Sequence, residues 1–232
     1  MPPPSDPVLS AQELTCGYAR SPVVERLTCT VSAGEALVLV GPNGAGKSTV
    51  LRTLAGQQPA LQGTVKLCGR PMRENSRFYR QHVSSLFDED AFFPGLGVRD
   101  HLELVARGNG LANPGDEVEK ILEKFELQGR AESSPYLLSS GQRRRALLAA
   151  ALLRPASLLI LDEPEQRLDH SFRKILAECL QQASRQGTAL VMASHDPDVT
   201  RAVASSVLVI EDSGAWSLDG SLDGGQRDLR RP

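Results

Sequence analysis

The stretch Gly41-Pro42-Asn43-Gly44-Ala45-Gly46-Lys47-Ser48-Thr49 decides the fold of this chain. It follows a short apolar run at 36–40 and opens a predicted helix at 46–54. It matches the pattern G-x-x-x-x-G-K-[ST] between a strand and a helix, the setting in which that pattern forms a phosphate-binding loop. The alternative is a Gly-rich turn that contains a lysine by chance, which the flanking strand and helix disfavour.

The residue types of this loop suit a nucleotide phosphate. Glycines let the backbone wrap an anion without Cβ clashes, and the loop N–H groups and the helix N-terminus face it. Lys47 is predicted to reach the β- and γ-phosphates, and the Ser48 hydroxyl to ligate Mg²⁺. The predicted nucleotide contacts in the loop are Gly41, Asn43, Gly44, Ala45, Gly46, Lys47, Ser48 and Thr49.

A phosphate loop needs an acid on a neighbouring strand, and Leu158-Leu159-Ile160-Leu161-Asp162-Glu163 supplies one. Four apolar residues bury the strand, and Asp162 follows at its C-terminal end, where open α/β sheets place ligands. We expect Asp162 to hold Mg²⁺ and Glu163 to orient or deprotonate the attacking water. Two acids that merely cap a strand exit are the alternative.

Two further segments carry polar residues of interest. Leu138-Ser139-Ser140-Gly141-Gln142 precedes a predicted helix at 141–153, and by itself it reads equally well as a polar N-cap. Arg143-Arg144-Arg145 in the first turns of that helix predicts a solvated face. Val191-Met192-Ala193-Ser194-His195-Asp196 ends a predicted strand in a histidine, which is usually structural but could instead hydrogen-bond the γ-phosphate.

The remaining chain alternates strands with helices, which indicates an α/β fold with a parallel sheet. Its middle, about 90–150, has helix-period stretches at 98–106 and 117–127 and is interpreted as an insertion. Further helices are predicted at 168–185 and near 199. The predicted strands are 8–16, 23–31, 36–40, 64–68, 83–87, 158–161, 188–193 and 207–210.

Composition excludes several classes of protein. The chain has 232 residues, 41% hydrophobic and 23% charged, with a net charge of −2, so it is no polycation built for nucleic acid. Its longest apolar run, at 146–153, is far shorter than the roughly 20 residues that cross a membrane. No basic, apolar leader opens the chain, and we expect a cytosolic protein without secretion by that route. The four cysteines have no C-x-x-C spacing and predict buried thiols.

These motifs, in this order, resemble the ATP-binding subunit of ATP-binding cassette (ABC) transporters over about residues 8–218. The stretch Gly41 to Thr49 resembles the family's Walker A motif, and the stretch Leu158 to Glu163 its Walker B motif with the catalytic glutamate. In the same comparison 138–142 resembles the signature motif, 165–169 the D-loop, His195 the switch histidine and Tyr18 the aromatic that stacks on adenine.

The resemblance implies a P-loop NTPase fold with a RecA-like parallel core, an N-terminal antiparallel β subdomain and the helical insertion. Tails are expected at 1–7 and 219–232. It also implies a head-to-tail pair of cassettes, identical or paralogous, in which Ser139, Gly141 and Gln142 contact the partner's nucleotide. The cofactors would be ATP and Mg²⁺. Membrane permease chains would contact the insertion, including the apolar Phe92-Phe93-Pro94, and would hold the chain at the cytoplasmic face.

Three positions depart from the family pattern. Ser140 replaces a usual glycine, and Glu165-Gln166-Arg167 replaces the usual small D-loop residues. Asp88 stands where a glutamine normally touches Mg²⁺ and water, so it is a candidate metal ligand. The function predicted is ATP hydrolysis that energises a separate permease. The alternatives are a soluble non-transport ATPase, such as a metal-cluster assembly factor, and a binding-only cassette, which Asp88 favours and Glu163 disfavours.

Overall fold

The computed structural model describes residues 6–19, 21–88 and 91–220. The strands are β1 (Leu9–Tyr18), β2 (Ser21–Val31), β3 (Ala36–Val40), β4 (Gln62–Leu67), β5 (Arg70–Pro71), β6 (Val83–Leu86), β7 (Leu158–Asp162), β8 (Ala189–Ala193), β9 (Ser206–Ile210) and β10 (Trp216–Gly220). The α-helices are α1 (Lys47–Leu54), α2 (Arg77–His82), α3 (Val98–Gly108), α4 (Pro114–Lys124), α5 (Ser140–Leu153), α6 (His170–Arg185) and α7 (Pro197–Val203). Two short 3₁₀ helices, Gln128–Arg130 and Pro135–Leu137, precede α5.

A six-stranded sheet in the order β10-β9-β3-β8-β7-β6 forms the centre of the molecule. Its strands pair in parallel except for β10, which runs antiparallel to β9 at one edge. Strands β3, β7 and β8 are apolar on both faces, as expected for parallel strands covered from both sides. The C-terminal ends of β3, β7 and β8 therefore meet at one edge, where they deliver the phosphate loop, Asp162 and the His195 segment.

The two faces of this sheet belong to two hydrophobic cores. Because side chains alternate along a strand, Leu37 and Ile160 pack into one core and Val38 and Leu161 into the other. The first core also contains α1 and a four-stranded antiparallel sheet in the order β2-β1-β4-β5. The second contains α3 to α7. This arrangement confirms the predicted fold class, including the antiparallel subdomain and the helical insertion.

Two helices differ from their predicted bounds for local reasons: both ends of α4 and the start of α6 lie elsewhere. Helix α4 begins at Pro114, which fits the first helical turn because its missing N–H needs no partner there. It ends at Lys124, before Glu126 adopts a left-handed φ of 55°. Helix α6 begins after Asp169, whose side chain accepts a hydrogen bond from the Phe172 N–H and caps the helix.

The sequence prediction missed α2, β5 and β10. Helix α2 spans six residues, too few for a periodic signal, and Ser76 caps it by accepting from the Tyr79 N–H at 3.0 Å. The predicted tails at 1–7 and 219–232 lie outside the described residues except at 6–7 and 219–220. Positions 219 and 220 belong to β10, so the ordered strand extends past the predicted domain boundary.

Three of the four cysteines are buried as predicted, but Cys68 is exposed. Burial raises the pKa of Cys16 to about 11 and that of Cys29 to about 12. Cys68 follows the end of β4 with a left-handed φ of 47°, so it belongs to a turn rather than to the core. Across the described residues, none of the helices has both the length and the apolar character needed to cross a membrane.

Candidate active site

The phosphate loop connects β3 to α1 and requires glycine at two positions where it packs tightly. Gly41 has a φ of +155°, and a Cβ there would lie 2.2 Å from the Ile210 carbonyl oxygen. At Gly46, with a φ of +97°, a Cβ would lie 2.1 Å from Val23 Cγ1. Gly44 also has a positive φ but meets nothing within 4 Å, and Asn43 beside it is exposed. The loop is thus held against the body at its two ends and open between them.

Lys47 is buried inside this loop, with 5% of its surface exposed. Its Nζ donates to the Gly41 carbonyl oxygen at 3.0 Å and to that of Pro42 at 2.9 Å. Burial lowers the pKa of the Lys47 ammonium, and the carboxylates of Glu163 and Asp162 act in the opposite direction. The ammonium is therefore fixed at the base of the loop, where it supplies a positive charge.

Asp162 ends β7 and lies beside the start of α1. Its side chain is hydrogen-bonded to the Ser48 side chain, while its Oδ1 is buried without a hydrogen-bond partner. Burial raises the pKa of Asp162, and the Glu163 charge raises it further. A buried carboxylate oxygen without a donor, next to a hydroxyl, fits a hard cation such as Mg²⁺, which prefers oxygen ligands. The pair predicted to hold the metal, Ser48 and Asp162, is brought together.

Glu163 and His195 also meet, although they follow different strands. His195 Nε2 lies 3.0 Å from Glu163 Oε1, and Gln166 Nε2 donates to Glu163 Oε2 at 3.3 Å. The Glu163 backbone has a left-handed φ of 45°, and its N–H donates to the Ala193 carbonyl oxygen at 3.1 Å. A glutamate in that conformation is strained, and the surrounding bonds hold it there. The geometry places a carboxylate and an imidazole at one point of the sheet edge.

The prediction that Arg143, Arg144 and Arg145 form a solvated face is wrong for Arg145, whose side chain is 14% exposed and pairs with Glu126 and Asp169. It is also wrong for Arg144, which is 4% exposed. Its Nη2 donates to the carbonyl oxygens of Asp162 at 2.6 Å and Glu163 at 2.8 Å. Its Nη1 donates to the Phe87 carbonyl oxygen at 3.3 Å, and burial lowers its pKa. The first turns of α5 thereby bind the loops after β6 and β7. Helical periodicity could not predict these bonds, because the sequence does not show which backbone carbonyl groups the fold brings close to Arg144.

Glu165 is a second residue to which the sequence interpretation gave no specific role. It is 5% exposed, and its Oε1 accepts three hydrogen bonds from the segment that carries His195. The sequence offered one signal for Glu165: it is an acidic residue in the D-loop segment, where the ABC family usually has small residues.

Tyr18 ends β1 and is 60% exposed. Its hydroxyl oxygen accepts from Thr49 Oγ1 at 3.3 Å, which places the ring beside the first turn of α1. An exposed aromatic face next to a phosphate loop is available for stacking on a base.

Ser139 and Gln142 form a capping box at the start of α5. The Gln142 N–H donates to Ser139 Oγ at 3.2 Å, and the Ser139 N–H donates to Gln142 Oε1 at 3.1 Å. A Cβ at Gly141 would lie 2.9 Å from the Arg167 carbonyl oxygen, so glycine permits close contact with the segment after β7. Both readings of this segment from the sequence, a helix cap and a ligand site, remain compatible with this geometry.

Asp88 makes its described contact with Arg167 rather than with the groups around Asp162. Arg167 Nη2 lies 3.2 Å from Asp88 Oδ1, and the side chains of Arg167 and Asp88 are 43% and 64% exposed. Arg167 has a left-handed φ of 66°. The pair joins the loop after β6 to the loop after β7, and a metal-binding role for Asp88 remains a prediction.

Comparison with known proteins gives consistent matches. A family model described as ABC transporter matches residues 24–166, more than half of the chain. The Nod factor export ATP-binding protein I of Burkholderia lata is 34% identical over 192 residues, which cover 82% of this chain and 63% of that protein. The chain thus spans a little under two thirds of that relative's length. The thiamine import ATP-binding protein ThiQ of a Ruegeria species is 34% identical over 186 residues, covering 79% and 80% of the two chains.

A solved structure of an ATP-binding subunit of an ABC transporter superposes with a TM-score of 0.81 at 26% identity. The superposition covers 93% of this chain and 90% of the other. Sequence, fold and the order of the site residues agree with one another, and this chain belongs to the ABC transporter family.

Proposed function

We propose that the chain binds and hydrolyses ATP as the ATP-binding subunit of an ABC transporter and thereby energises a separate membrane permease. The observation that carries this proposal is the meeting of three groups at one sheet edge. The phosphate loop with Lys47, the Ser48–Asp162 pair and the Glu163–His195 contact follow three adjacent strands. A structural role alone would not bring a buried lysine, a donor-free carboxylate oxygen and a strained glutamate together.

The residues would divide the chemistry of hydrolysis among them. Lys47 and the loop N–H groups would balance the phosphate charge, and Tyr18 would stack on the adenine. Ser48 and Asp162, with Asp88 as a further candidate, would hold Mg²⁺, which when bound neutralises charge on the phosphate oxygens. Glu163 would accept hydrogen bonds from the attacking water and take its proton. His195, already in contact with Glu163, would donate to the γ-phosphate or to the carboxylate.

The partners proposed are a second cassette, identical or paralogous, and permease chains, with no nucleic acid. Ser139, Gly141 and Gln142 would contact a nucleotide held mainly by the second cassette. One relative is named for export and another for import, which supports a transporter and leaves the direction of transport open. The permease would contact the helical insertion, where Phe93 is about half exposed while Phe92 packs on His101, and would hold the chain peripherally at the cytoplasmic face.

Substitution of Glu163 by glutamine tests the proposed chemistry. Glu163→Gln keeps the size and a hydrogen-bond acceptor but removes the base, so turnover should fall by about 10²–10⁴-fold. Equilibrium binding of ATP should persist, since the phosphate loop is untouched. The measurements are phosphate release and a nucleotide titration on the wild type and the variant. Undiminished phosphate release in Glu163→Gln would remove Glu163 from the role.

Purification from membranes tests the transporter assignment separately. A tagged chain extracted in mild detergent should bring with it a strongly hydrophobic chain with several membrane spans. A variant in which Phe93 is replaced by aspartate should lose that chain while it keeps its basal ATPase activity. Recovery of the protein with water-soluble assembly partners only would favour the non-transport ATPase.

A further inference from the structure

The segment that carries His195 is attached to the loop after β7 through one carboxylate oxygen. Glu165 Oε1 accepts from the His195 N–H at 2.7 Å, from Ser194 Oγ at 2.8 Å and from the Asp196 N–H at 3.3 Å. The Ser194 N–H in turn donates to the Leu39 carbonyl oxygen of β3 at 3.1 Å. These bonds fix the main chain on both sides of His195.

His195 is therefore held at two points by two carboxylates of the same loop. Glu165 binds its backbone N–H, and Glu163 lies 3.0 Å from Nε2 of its ring. The His195 side chain is 39% exposed, and the ring hydrogen bond that the structure describes is the one to Glu163. The position of the ring relative to Glu163 also depends on where the backbone of 194–196 lies, and Glu165 is hydrogen-bonded to all three of these residues.

The surroundings of Glu165 explain how a buried carboxylate is tolerated there. The positive charge of the buried Arg144 lies close enough to interact with Glu165 electrostatically. Three donors converge on Oε1, which satisfies that buried oxygen. The second oxygen, Oε2, is buried without a hydrogen-bond partner. All of the positioning contacts thus use one acceptor atom.

We propose that Glu165 is the positioning residue that sets the His195 ring against the Glu163 carboxylate. This inference rests on the proposed function, because the contact it maintains matters for ATP hydrolysis. Glu165 itself is not placed on the nucleotide or on the reacting atoms. Without its carboxylate the His195 N–H would lose its acceptor, and the Asp196 N–H would keep Ser194 Oγ at 3.1 Å, so the segment would shift to satisfy the His195 N–H.

The test compares three variants with the wild type. Glu165→Ala removes the acceptor, and because small displacements at a reacting centre are costly, kcat should fall by about 10–100-fold with KM for ATP nearly unchanged. Glu165→Gln keeps a carbonyl oxygen at the Oε1 position and should restore kcat to within about fivefold of wild type, since charge assistance roughly doubles a hydrogen bond. The matched control is Asp198→Ala, an exposed acid of the same segment that pairs with Arg201. It should leave kcat unchanged.

A spectroscopic measurement separates this inference from the proposed function. The NMR signals of the His195 ring are identified by their loss in His195→Ala. They should shift in Glu165→Ala and return towards the wild-type position in Glu165→Gln. Wild type that releases no phosphate would overturn the proposed function, while the ring shift would still support the positioning role. Two results would overturn the positioning role: unshifted ring signals in Glu165→Ala, or a Glu165→Gln variant as impaired as Glu165→Ala.

Discussion

At the scale of single residues, the site could be predicted where chemistry fixes the residue type. A phosphate loop needs glycines, a lysine and a hydroxyl in order, so Lys47 and Ser48 were identifiable before any coordinates. Asp162 and Glu163 followed from their place after an apolar strand. Arg144 and Glu165 were not identifiable in this way, because both act through backbone groups of distant loops.

Tyr18 gives a prediction at this scale. Its exposed ring should stack on adenine, so Tyr18→Ala should weaken ATP binding about tenfold, within the range of measured base–aromatic stacking energies. Tyr18→Phe keeps the ring and loses only a 3.3 Å contact with Thr49, and its affinity should stay near that of wild type. A fluorescent-nucleotide titration measures both. Equal affinities for all three proteins would make Tyr18 an ordinary exposed turn residue.

Asp88 gives a second residue-scale prediction. Its charge lies near Arg167 and Arg144, and if it also reaches the metal it adds to the negative charge of Asp162. Asp88→Gln should then relax the Mg²⁺ requirement and raise basal turnover without changing which nucleotide binds. The ATPase rate is measured against Mg²⁺ concentration for both proteins. Superimposable curves would show that Asp88 does not act on the metal and that its role is limited to the contact with Arg167.

At the scale of elements, the sequence predicted what periodicity and capping encode. Most of the parallel strands, β3, β7, β8 and β9, were found because each contains an apolar run of four or five residues. Helix α3 was found from its recurring apolar positions and α5 from its cap. The elements that were missed, α2 and β5, are too short to have a pattern. Strand β10 pairs with β9 at the edge of the sheet. Apolar and polar residues alternate along it next to a polar stretch, so the sequence did not distinguish it from a tail.

The cap of α6 supplies a prediction with a pH dependence. The Ser171 side chain, the Phe172 N–H and Arg145 hydrogen-bond to Asp169 and hold its pKa well below the usual range. A carboxylate with a depressed folded-state pKa stabilises the fold above its unfolded pKa of about 3.9, and that contribution is lost as the pH falls. Asp169→Ala should therefore lower Tm by about 2–4 °C near neutral pH.

The same variant should lose its effect in acid. Below about pH 4 the gap in Tm between wild type and Asp169→Ala should narrow, because the unfolded wild-type chain takes up a proton on Asp169 while the folded carboxylate is still ionised, which favours unfolding of the wild type. Asp169→Asn retains a capping oxygen, so near neutral pH its Tm should fall by less than half of the decrease expected for Asp169→Ala. Thermal melts from pH 3.5 to 8 follow both variants, and a gap independent of pH would show that the charge of Asp169 contributes nothing.

At the scale of the whole molecule, the loop, the sheet edge and both cores are coupled through α1 and β3. A ligand that binds only the folded chain must therefore stabilise all of it. ATP with Mg²⁺ at about 100 times its dissociation constant should add about 2.7 kcal/mol and raise Tm by about 5–10 °C. Lys47→Ala should abolish most of that rise. An equal rise in both proteins would place the nucleotide away from the phosphate loop.

The hydrogen bonds of Arg144 join α5 to the loops after β6 and β7, a connection that the sequence does not reveal. Leaving its guanidinium without carbonyl partners in a buried site costs several kcal/mol, so α5 must travel with β7 in any rigid-body motion. The N–H groups of Val98 and Arg99, at the start of α3, donate to the carbonyl oxygens of Ser133 and Ala131, which connects α3 to the segment before α5. A rotation of the helical insertion that keeps the Arg144 bonds intact would leave the backbone of Asp162 and Glu163 in place.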